Sequence, residues 1–519
     1  MRDFRGSHPA MLSKVWSAAT LGIDAVRIVV EVHARLAELP RFVMVGLADL
    51  AVRESHARVW SALANCGFRV PCRFITVSLS PGDVRKEGSG FDLPIAVGLL
   101  KALEILTDAD IAGRVFVGEL SLDGTITPVR GTLSISAALA GDETIRELIV
   151  PAANANEAAA VQQVSVVGVP HLLALVAHLK GHQPIAPATS VNARDSEVDD
   201  LDFAEVRGQT QAKRALEVAA AGGHSVMMIG PPGSGKTMLA KRLPSILPRL
   251  SLEEGIVTTK IHSVAGVLPP GSGLLARRPF RAPHHTISTA GMAGGGTQLR
   301  PGEVSLAHHG VLFLDELPEF RRETLEAMRQ PIEDGVVIIA RAARTVTFPA
   351  RFTLAAALNP CPCGYYNDSR RPCTCTPHQI SRYLAKISGP LLDRIDLQVE
   401  VAALTTDEIA SEEASESSTS IRARVEAARQ IQRDRFRRAA IRCNAELTTR
   451  AMRRVCELDD ASRRMLVSAI DRLGLSARAH DRILKVARTI ADLDAAEKIA
   501  ATHVAEAVQY RALDRAYFR

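Results

Sequence analysis

The chain reads Ser225-Val226-Met227-Met228-Ile229 and then Gly230-Pro231-Pro232-Gly233-Ser234-Gly235-Lys236-Thr237. An apolar run precedes the glycine-rich segment and a helical run, 238–243, follows it, so the segment is predicted to join a strand to a helix. It matches G-x-x-x-x-G-K-[ST], in which backbone N–H groups cradle a phosphate chain and glycines keep Cβ atoms out of the way. The pattern predicts that Lys236 meets the β- and γ-phosphates and that the Thr237 hydroxyl binds Mg²⁺.

Two acidic residues follow a second apolar run. Residues 310–314 read as a buried strand that ends at Asp315-Glu316. Ligands of open α/β sheets bind at the carboxyl ends of the strands. Asp315 is therefore predicted to hold Mg²⁺ through water, and Glu316 to polarise the attacking water as general base. Alone the pattern is weak, and its position downstream of the phosphate loop gives it weight.

A third apolar run, 352–358, ends at Asn359-Pro360. An amide at this edge, on a strand between the two preceding ones, could orient the water or contact the γ-phosphate. Asn-Pro is also a common turn starter, and by itself Asn359 would be assigned to a turn.

Composition excludes several classes of protein. With 519 residues, 47% hydrophobic and 23% charged, the chain is long and apolar enough for several packed cores, which excludes a disordered or fibrous chain. No run reaches the roughly 18 apolar residues of a membrane helix, and the first residues lack a signal-peptide core, so we expect a cytoplasmic protein without a membrane partner. The net charge of +6 fits a nucleic-acid partner without requiring one, and 4% aromatic residues disfavour a surface built on base stacking.

The texture of the sequence predicts three domains. Residues 1–180 alternate short β-like runs with Ala/Leu-rich stretches, and 181–200 form a polar, proline-containing linker. Residues 201–401 alternate apolar strands with helices, which is typical of a parallel α/β sheet. Residues 402–519 begin with a Ser/Glu-rich surface loop, continue almost free of Gly and Pro, and are predicted to be helical.

Four cysteines are bunched directly after Asn359. They form two C-x-C pairs, Cys361/Cys363 and Cys373/Cys375. Four thiolates so close in sequence can close a tetrahedral Zn²⁺ site, and in a reducing compartment a metal is favoured over disulfides. The C-x-C spacing is less usual than C-x₂-C. The pattern predicts a structural zinc insert over 361–375 that braces a loop and takes no part in the chemistry.

The combination of these motifs resembles AAA+ ATPases, and within them the magnesium-chelatase-like branch. Over essentially the whole chain it is similar to the ComM/YifB family. The resemblance rests on the motifs above and on five further stretches, namely 222–224 (Gly-Gly-His), 281–286 (Arg-Ala-Pro-His-His-Thr), 302–308 (Gly-Glu-Val-Ser-Leu-Ala-His), 391–396 (Leu-Leu-Asp-Arg-Ile-Asp) and 476–493, which opens with Ser-Ala-Arg.

The resemblance implies an AAA+ P-loop core, a C-terminal helical lid, and ATP hydrolysis with Mg²⁺ at the subunit interfaces of a ring, expected to be a homo-hexamer. Arg394 falls where the family places the arginine finger that reaches the neighbour's γ-phosphate, and Arg478 falls at the sensor-2 position. Such a finger neutralises charge in the phosphoryl-transfer transition state. Without the resemblance, an arginine beside Asp393 and Asp396 would be interpreted as a surface ion pair.

Two segments are candidates for contact with DNA. The resemblance places an insertion that projects toward the ring pore at 277–296. Residues 336–348 read as two β-runs around a basic tip, a hairpin that in related helicases carries basic residues to DNA. Arg341 and Arg344 would then meet phosphates in a salt-sensitive, sequence-independent way. The alternative is a solvated edge hairpin with protective arginines. The arginines of 422–442 could bind DNA, but a solvated helix face is favoured. The pairs His284-His285 and His308-His309 could suggest a metal, but neighbouring residues of a strand point to opposite faces, which favours structural roles.

The N-terminal region resembles the proteolytic domain of Lon, which has a ribosomal-S5-like α/β fold. In an ungapped alignment the Lon serine falls on Gly90 and the lysine on Leu133, while Ser89 is one position away. A one-residue shift turns a helical side chain by about 100°. We therefore expect a non-catalytic Lon-like domain.

The function that these patterns favour is an ATP-dependent DNA motor, a ring-forming branch-migration helicase that acts on single-stranded or branched DNA in homologous recombination or natural transformation. Three alternatives are a magnesium-chelatase motor subunit, a regulatory ATPase without nucleic acid, and a Lon-like protease. The Lon-like region argues against the chelatase, and Gly90 and Leu133 argue against the protease.

Overall fold

The computed structural model describes residues 11–37, 39, 41–47, 49–70, 73–86, 88–189, 201–296, 299–341, 344–368, 370–405, 408, 415–437, 439 and 441–518. These residues form two compact units. The first contains the described residues of Met1–Arg194 together with Leu252–Ala276, and the second those of Asp195–Ser251 and Arg277–Arg519. Residues 190–200 of the predicted linker, and residues 406–407 and 409–414 of the Ser/Glu-rich loop predicted over 405–420, lie outside the described residues.

The first unit is built on a mixed sheet. Its strands are Met11–Leu21 (β1), Asp24–Leu36 (β2), Arg41–Val45 (β3), Arg73–Ser80 (β4), Arg114–Phe116 (β5), Glu119–Leu120 (β6), Ile126–Thr127 (β7), Glu147–Pro151 (β8) and Val166–Val169 (β9). Seven of them pair in the order β3-β4-β2-β1-β5-β8-β9. In β2, Ile28, Val30 and Val32 are all buried, because alternate side chains of a strand point to the same face.

Helices cover this sheet. They are Leu50–Arg53 (α1), Ser55–Asn65 (α2), Asp92–Ala102 (α3), Asp108–Ile111 (α4), Thr132–Leu139 (α5), Ala155–Ala158 (α6) and Leu172–Leu179 (α7). α3 packs very closely on the sheet, since a Cβ on Gly98 would lie 2.6 Å from Val32 Cγ2.

The second unit contains a parallel sheet of five strands. The strands of this unit are Val226–Ile229 (β10), Phe280–Arg281 (β11), Gly294–Gly295 (β12), Arg300–Pro301 (β13), Val311–Leu314 (β14), Val336–Arg341 (β15), Arg344–Pro349 (β16), Thr353–Leu358 (β17) and Leu397–Glu400 (β18). Five of them, β10, β11, β14, β17 and β18, form the parallel sheet. The order is β11-β14-β17-β10-β18, with every pairing parallel. β10, β14 and β17 are buried on both faces and consist of apolar residues apart from Thr353, as strands between two helical layers do.

The helices after the linker are Thr210–Gly222 (α8), Lys236–Ile246 (α9), Leu252–Ala265 (α10), Thr289–Ala293 (α11), Glu303–Leu306 (α12), Arg322–Ala327 (α13), Arg329–Asp334 (α14), Pro377–Leu384 (α15), Gly389–Leu392 (α16), Ser418–Arg435 (α17), Thr449–Val455 (α18), Asp460–Leu473 (α19), Ala477–Leu493 (α20), Ala501–Gln509 (α21) and Leu513–Tyr517 (α22). The side chains of Ser417, Thr448, Asp459 and Ser476 each cap a helix of the C-terminal region. The predicted α/β core and helical C-terminal region are confirmed.

The sequence predicts one continuous domain over 201–401, but the structure assigns Leu252–Ala276 to the first unit. Hydrogen bonds explain the assignment. The hydroxyl of Ser263 donates to the buried carboxylate of Glu157 and accepts from the N–H of Gly131 at 2.8 Å. The amide of Asn156 donates to the carbonyl of Gly271 at 3.1 Å. Composition carries no signal of these long-range contacts.

A buried polar network joins the parallel sheet of the second unit to its C-terminal helices. His224, just before β10, lies 3.2 Å from Asp396 and 2.8 Å from the Thr489 hydroxyl of α20. Arg482, also on α20, pairs with Asp396. Although burial raises the pKa of Asp396, Arg482 and His224 outweigh it and hold the carboxyl ionised. The network fixes α20 against the strand that enters the phosphate loop.

The assignment of Leu252–Ala276 to the first unit can be tested by measuring the stability of that unit. Ser263→Ala should destabilise that unit by about 1–3 kcal/mol, because buried Glu157 loses a donor. Both tryptophans of the chain, Trp16 and Trp60, lie in this unit, so urea unfolding followed by tryptophan fluorescence reports on it. Ser272→Ala, a half-buried serine of the same stretch, is the control and should shift the free energy by less than about 0.5 kcal/mol. Equal midpoints for the two variants would contradict the assignment.

Candidate active site

The glycine-rich loop connects β10 to α9, as predicted. Gly233 and Gly235 have left-handed backbones, with φ of 77° and 90°, which glycine adopts without strain. A Cβ on Gly230 would lie 2.1 Å from the carbonyl oxygen of Val401, so no larger residue fits there. The loop therefore keeps its backbone amides free of side chains, as a phosphate cradle requires.

Lys236 lies in this loop with neutral acceptors around its ammonium group. Its Nζ donates to the carbonyl oxygens of Gly230 at 2.7 Å and Pro231 at 2.8 Å, and to Asn359 Oδ1 at 3.2 Å. Burial lowers the pKa of Lys236 to about 8, although the Asp315 carboxylate acts to raise it. A buried cation among neutral acceptors is stabilised by an added anion, and a phosphate chain would supply one.

Thr237 and Asp315 meet at the same edge. Thr237 Oγ1 donates to Asp315 Oδ2 at 2.7 Å, and Asp315 Oδ1 accepts from the N–H of Glu316 at 2.9 Å. Hydroxyl and carboxylate oxygens, completed by water and phosphate, are the ligands that Mg²⁺ takes. The residues present fit the predicted magnesium site.

Asn359 reaches the site because its strand lies between the other two. β17 pairs with β10 on one side and with β14 on the other, so the carboxyl ends of all three strands share one edge. Its contact with Lys236 shows that the amide faces the phosphate loop. This is the position from which an amide could contact a γ-phosphate.

Glu316 has a partner that sequence reasoning missed. Its side chain is 56% exposed, and His285 Nδ1 lies 3.3 Å from its carboxylate. The structural interpretation of the histidine pairs assumes that they lie in strands, where neighbouring side chains face opposite ways. His284 and His285 instead lie in the loop after β11, with their rings 4.1 Å apart. β11 lies beside β14 in the sheet, so the loop after β11 meets the end of β14, where Glu316 lies. This pairing of strands is the information that could have identified His285 as a partner of Glu316.

Arg394 is buried in this conformation, not presented to a neighbour. Its side chain is 6% exposed, pairs with Glu333, and donates to the carbonyl of Pro390 at 2.6 Å. The predicted arginine finger would have to leave Glu333 to reach a nucleotide on another subunit. The sequence does not reveal this pair, because the two residues lie 61 positions apart.

Arg478 is exposed in the first turn of α20. Arg482, one turn further along, is the arginine that pairs with buried Asp396. The structure therefore separates a solvent-facing arginine at the predicted sensor-2 position from a structural one beside it.

The four clustered cysteines come together. Their sulfur atoms all lie within 4.8 Å of one another, and Cys361 is buried. Although burial acts to raise it, hydrogen bonds from the backbone of Tyr365 and Thr374 lower the pKa of Cys363 to about 5. The pKa values of Cys373 and Cys375 are raised by burial and by the neighbouring sulfurs, which act against hydrogen bonds from the backbone. Four cysteine sulfurs gathered in this way fit Zn²⁺, which binds them as thiolates.

The predicted basic hairpin is present as β15 and β16, which pair antiparallel with Arg341 opposite Arg344. Its tip, 342–343, and the side chains of both arginines lie outside the described residues. A second ribbon lies beside it. β12, at the end of the 277–296 segment, pairs antiparallel with β13, and a Cβ on Gly294 would lie 3.1 Å from Ile339 Cδ1 of the hairpin.

The arginine-rich helix α17 uses several of its arginines internally. Arg429 donates to the carbonyl of Ala220 at 2.9 Å, Arg435 pairs with buried Asp492, and Arg424 pairs with Glu217. These contacts show a helix anchored to the core of the second unit, which is a more structural role than the solvated face that was expected.

The N-terminal unit has no Ser–Lys pair at the positions aligned with Lon. The residue at the lysine position, Leu133, is fully buried, and the backbone at Gly90 carries no hydroxyl. Ser89, the neighbouring serine, donates to the carboxylate of Glu119, and the buried ammonium of Lys86 donates to the carbonyl of Pro81. These contacts give no support to a peptidase dyad.

The lowered pKa of Lys236 predicts how nucleotide binding depends on pH. Because the free lysine is neutral above its pKa of about 8, the affinity for an ATP analogue should fall about tenfold per unit above that pH. A fluorescent analogue titrated between about pH 7 and about pH 9.5 measures this. Lys236→Arg stays charged throughout and should bind with a flat profile, whatever its absolute affinity. A flat profile in the parent protein would contradict this role of Lys236.

Three family models match the chain, and all describe the magnesium-chelatase subunit ChlI. "Magnesium chelatase, subunit ChlI" matches 202–409, "Subunit ChlI of Mg-chelatase" matches 30–154, and "Magnesium chelatase, subunit ChlI C-terminal" matches 415–511. Among the residues that the structure describes, no helix combines the length and the apolar character needed to cross a membrane.

Curated relatives match over almost the whole chain. Competence protein ComM of Haemophilus influenzae is 44% identical over 511 residues, which cover 97% of this chain and 98% of that protein. YifB of Escherichia coli K12, described as uncharacterized, is 44% identical over 506 residues, with 97% and 98% covered. An archaeal Lon protease of Methanothermobacter thermautotrophicus is 34% identical over 85 residues, only 16% of this chain and 13% of that protein, a weak indication of a Lon-like domain. Identity at this level over nearly the full length shows that the chain belongs to the ComM/YifB family of magnesium-chelatase-like AAA+ proteins.

Proposed function

We propose that this protein is an ATP-dependent DNA motor that works as a ring, expected to be a hexamer, on single-stranded or branched DNA. The observation that carries the proposal is the convergence of Lys236, Thr237, Asp315 and Asn359 at one sheet edge, with Glu316 beside them. Family membership supports ATP and Mg²⁺ as the substrate and metal of this site.

The residues of the chain divide the work of hydrolysis among them. Lys236 exchanges carbonyl partners for phosphate oxygens, which orients the triphosphate and neutralises its charge. Thr237 and Asp315 would hold Mg²⁺, which supplies charge stabilisation to the phosphates when bound. Glu316 accepts a proton from the attacking water once its carboxylate is released from His285. Asn359 completes the polar lining on the γ-phosphate side.

Arg394 is proposed to act on the nucleotide of an adjacent subunit. In the single chain it pairs with Glu333, so a subunit by itself withholds this charge. Ring assembly would exchange the Glu333 carboxylate for the neighbour's γ-phosphate. A finger of this kind contributes about 10³–10⁵ in rate, so its withdrawal would keep unassembled subunits nearly inactive. Arg478, exposed on the lid, is proposed as the second arginine at the phosphates.

The two adjoining β-ribbons are the proposed DNA contact. Arg341 and Arg344 oppose each other at the end of β15/β16, and Gly294 brings the neighbouring ribbon against Ile339. Arginines on such ribbons bind phosphates without reading sequence. The Haemophilus relative is named a competence protein, which supports a role for this activity in the uptake or recombination of DNA. Branch migration is the proposed reaction.

The four cysteines are proposed to hold a structural zinc ion. The first unit is proposed to be a non-catalytic Lon-like domain.

The matching family models make a chelatase motor subunit the second candidate function. A chelatase or a purely regulatory ATPase would hydrolyse ATP without regard to DNA, and this difference separates the candidates.

ATP turnover should rise when forked or single-stranded DNA is added, because DNA on the ribbons favours the assembled ring. A coupled ATPase assay with and without DNA measures this, and Lys236→Ala should reduce both rates to background. DNA indifference of the parent protein at every salt concentration would favour the chelatase or regulatory candidate.

Arg341→Ala should lower the ratio of DNA-stimulated to DNA-free turnover. It should also reduce the slope of log affinity for DNA against log salt by about 1, because one phosphate contact is lost. Fluorescence anisotropy of labelled DNA over a salt series gives the slope. Arg437→Ala removes an exposed arginine that pairs with Asp434 on the protein itself and is the matched control. Identical slopes for the two variants would contradict a DNA contact at the hairpin.

A further inference from the structure

Three of the four cluster sulfurs lie at nearly the spacing of a tetrahedral metal site, and all four lie within 4.8 Å of one another. Cys361 Sγ lies 3.3 Å from Cys363 Sγ and 3.7 Å from Cys373 Sγ, and the last two are 3.6 Å apart. Zinc–sulfur bonds of about 2.3 Å in a tetrahedron place sulfur atoms about 3.8 Å apart, close to these values. The backbone N–H groups of Cys363 and Cys375 donate to cluster sulfurs at 3.4 Å, which favours the charged thiolates that bind metal.

The chain that carries this cluster starts inside the nucleotide site. Cys361 follows Asn359 with only Pro360 between them, and it is buried where β17 ends. The turn that follows returns to the phosphate loop. Gly364 has a φ of +87°, and a Cβ on it would lie 2.5 Å from Cδ and 2.7 Å from Cγ of Pro232. The turn between the two cysteine pairs is therefore in direct contact with the phosphate-binding loop.

Tyr366 anchors this turn to the core of the second unit, where its ring lies 6.2 Å from that of Tyr517. Residues 361–376 contain no helix or strand among those described, and most are exposed or half-exposed. Arg371 bonds to the Tyr365 hydroxyl at 2.9 Å, and Arg370 donates to the carbonyl of Ala403 at 3.2 Å. Beyond this anchor the segment has no regular secondary structure among its described residues, so a metal held by the four cysteine sulfurs would cross-link its two ends and fix its shape.

We infer that a thiophilic divalent cation on Cys361, Cys363, Cys373 and Cys375 holds Gly364 against Pro232 and so keeps the phosphate loop in its nucleotide-binding form. The metal would then govern nucleotide affinity without touching the nucleotide. The inference rests on the proposed ATP site, but it requires neither DNA nor ring assembly.

The metal itself is tested on the full-length protein. We expect about one zinc per chain by elemental analysis, and a Co²⁺-substituted protein should show the thiolate charge-transfer and visible bands of tetrahedral sulfur coordination. Protein that binds neither Zn²⁺ nor Co²⁺ would overturn the proposal. The paired substitution Cys373→Ser and Cys375→Ser should abolish both signals, whereas Cys66→Ser, outside the cluster, should leave them unchanged.

The coupling is tested by nucleotide affinity. Removing the metal with a chelator should raise the Kd for a fluorescent ATP analogue by at least about tenfold, which corresponds to about 1.4 kcal/mol, and Zn²⁺ should restore it. An unchanged Kd in metal-free protein that remains folded by circular dichroism would overturn the coupling.

Gly364→Ala separates the coupling from loss of the fold. The added methyl group collides with the rigid ring of Pro232, so we expect full metal content together with a similar rise in Kd. Gly141→Ala is the matched control, because Gly141 has a comparable φ of +83° and open space at its Cβ position. Equal Kd values for the two variants would contradict the proposal that the contact between Gly364 and Pro232 couples the metal to nucleotide affinity. A metal-dependent Kd in a protein whose turnover ignores DNA would instead reject the proposed DNA motor and leave this inference standing.

Discussion

The ammonium group of Lys236 is the constraint on which the rest of the site depends. Its nearest partners are neutral carbonyl and amide oxygens, and burial shifts its pKa to about 8. Keeping a cation there requires an exact backbone course, which explains why Gly230 has no room for a Cβ beside Val401. The parallel strand order places the ends of β10, β14 and β17 at one edge. The site thus surrounds a buried cation with neutral acceptors, and the proposed phosphate chain would complete its electrostatics.

Two contacts within the chain engage the groups that would act on such an occupant. Glu333 holds Arg394, and the exposed carboxylate of Glu316 lies beside His285. In both cases the group meant for the triphosphate is engaged with the protein itself. The network of Asp396, His224 and Thr489 connects the segment that carries Arg394 to α20. In the proposed mechanism, activity would require exchange of these contacts, driven by a neighbouring subunit and its nucleotide.

Local patterns predicted the α/β core and the helical C-terminal region, and they selected residues that the structure brings together at one sheet edge. The phosphate loop, the acidic strand end, the hairpin over 336–348 and the helical C-terminal region all follow from periodicity and spacing within short windows. Pairings across long separations could not be predicted in this way. Ser263 with Glu157, Arg394 with Glu333 and His285 with Glu316 are contacts between residues whose separate surroundings carry no sign of the partner. The prediction that Arg394 reaches a nucleotide on another subunit refers to an assembled ring. The pair with Glu333 is a contact within a single chain.

The measurement that tests the central claim most directly is subunit complementation. Arg394→Ala protein keeps its phosphate loop but has no finger to lend, and Lys236→Ala protein has the finger but a defective loop. Each alone should hydrolyse ATP at background rate. If the two are mixed before assembly, the account predicts recovered turnover, because Arg394 of one subunit completes the intact loop of its neighbour. Mixtures that stay at background at every ratio, or an Arg394→Ala protein as active as the parent, would contradict hydrolysis shared between subunits.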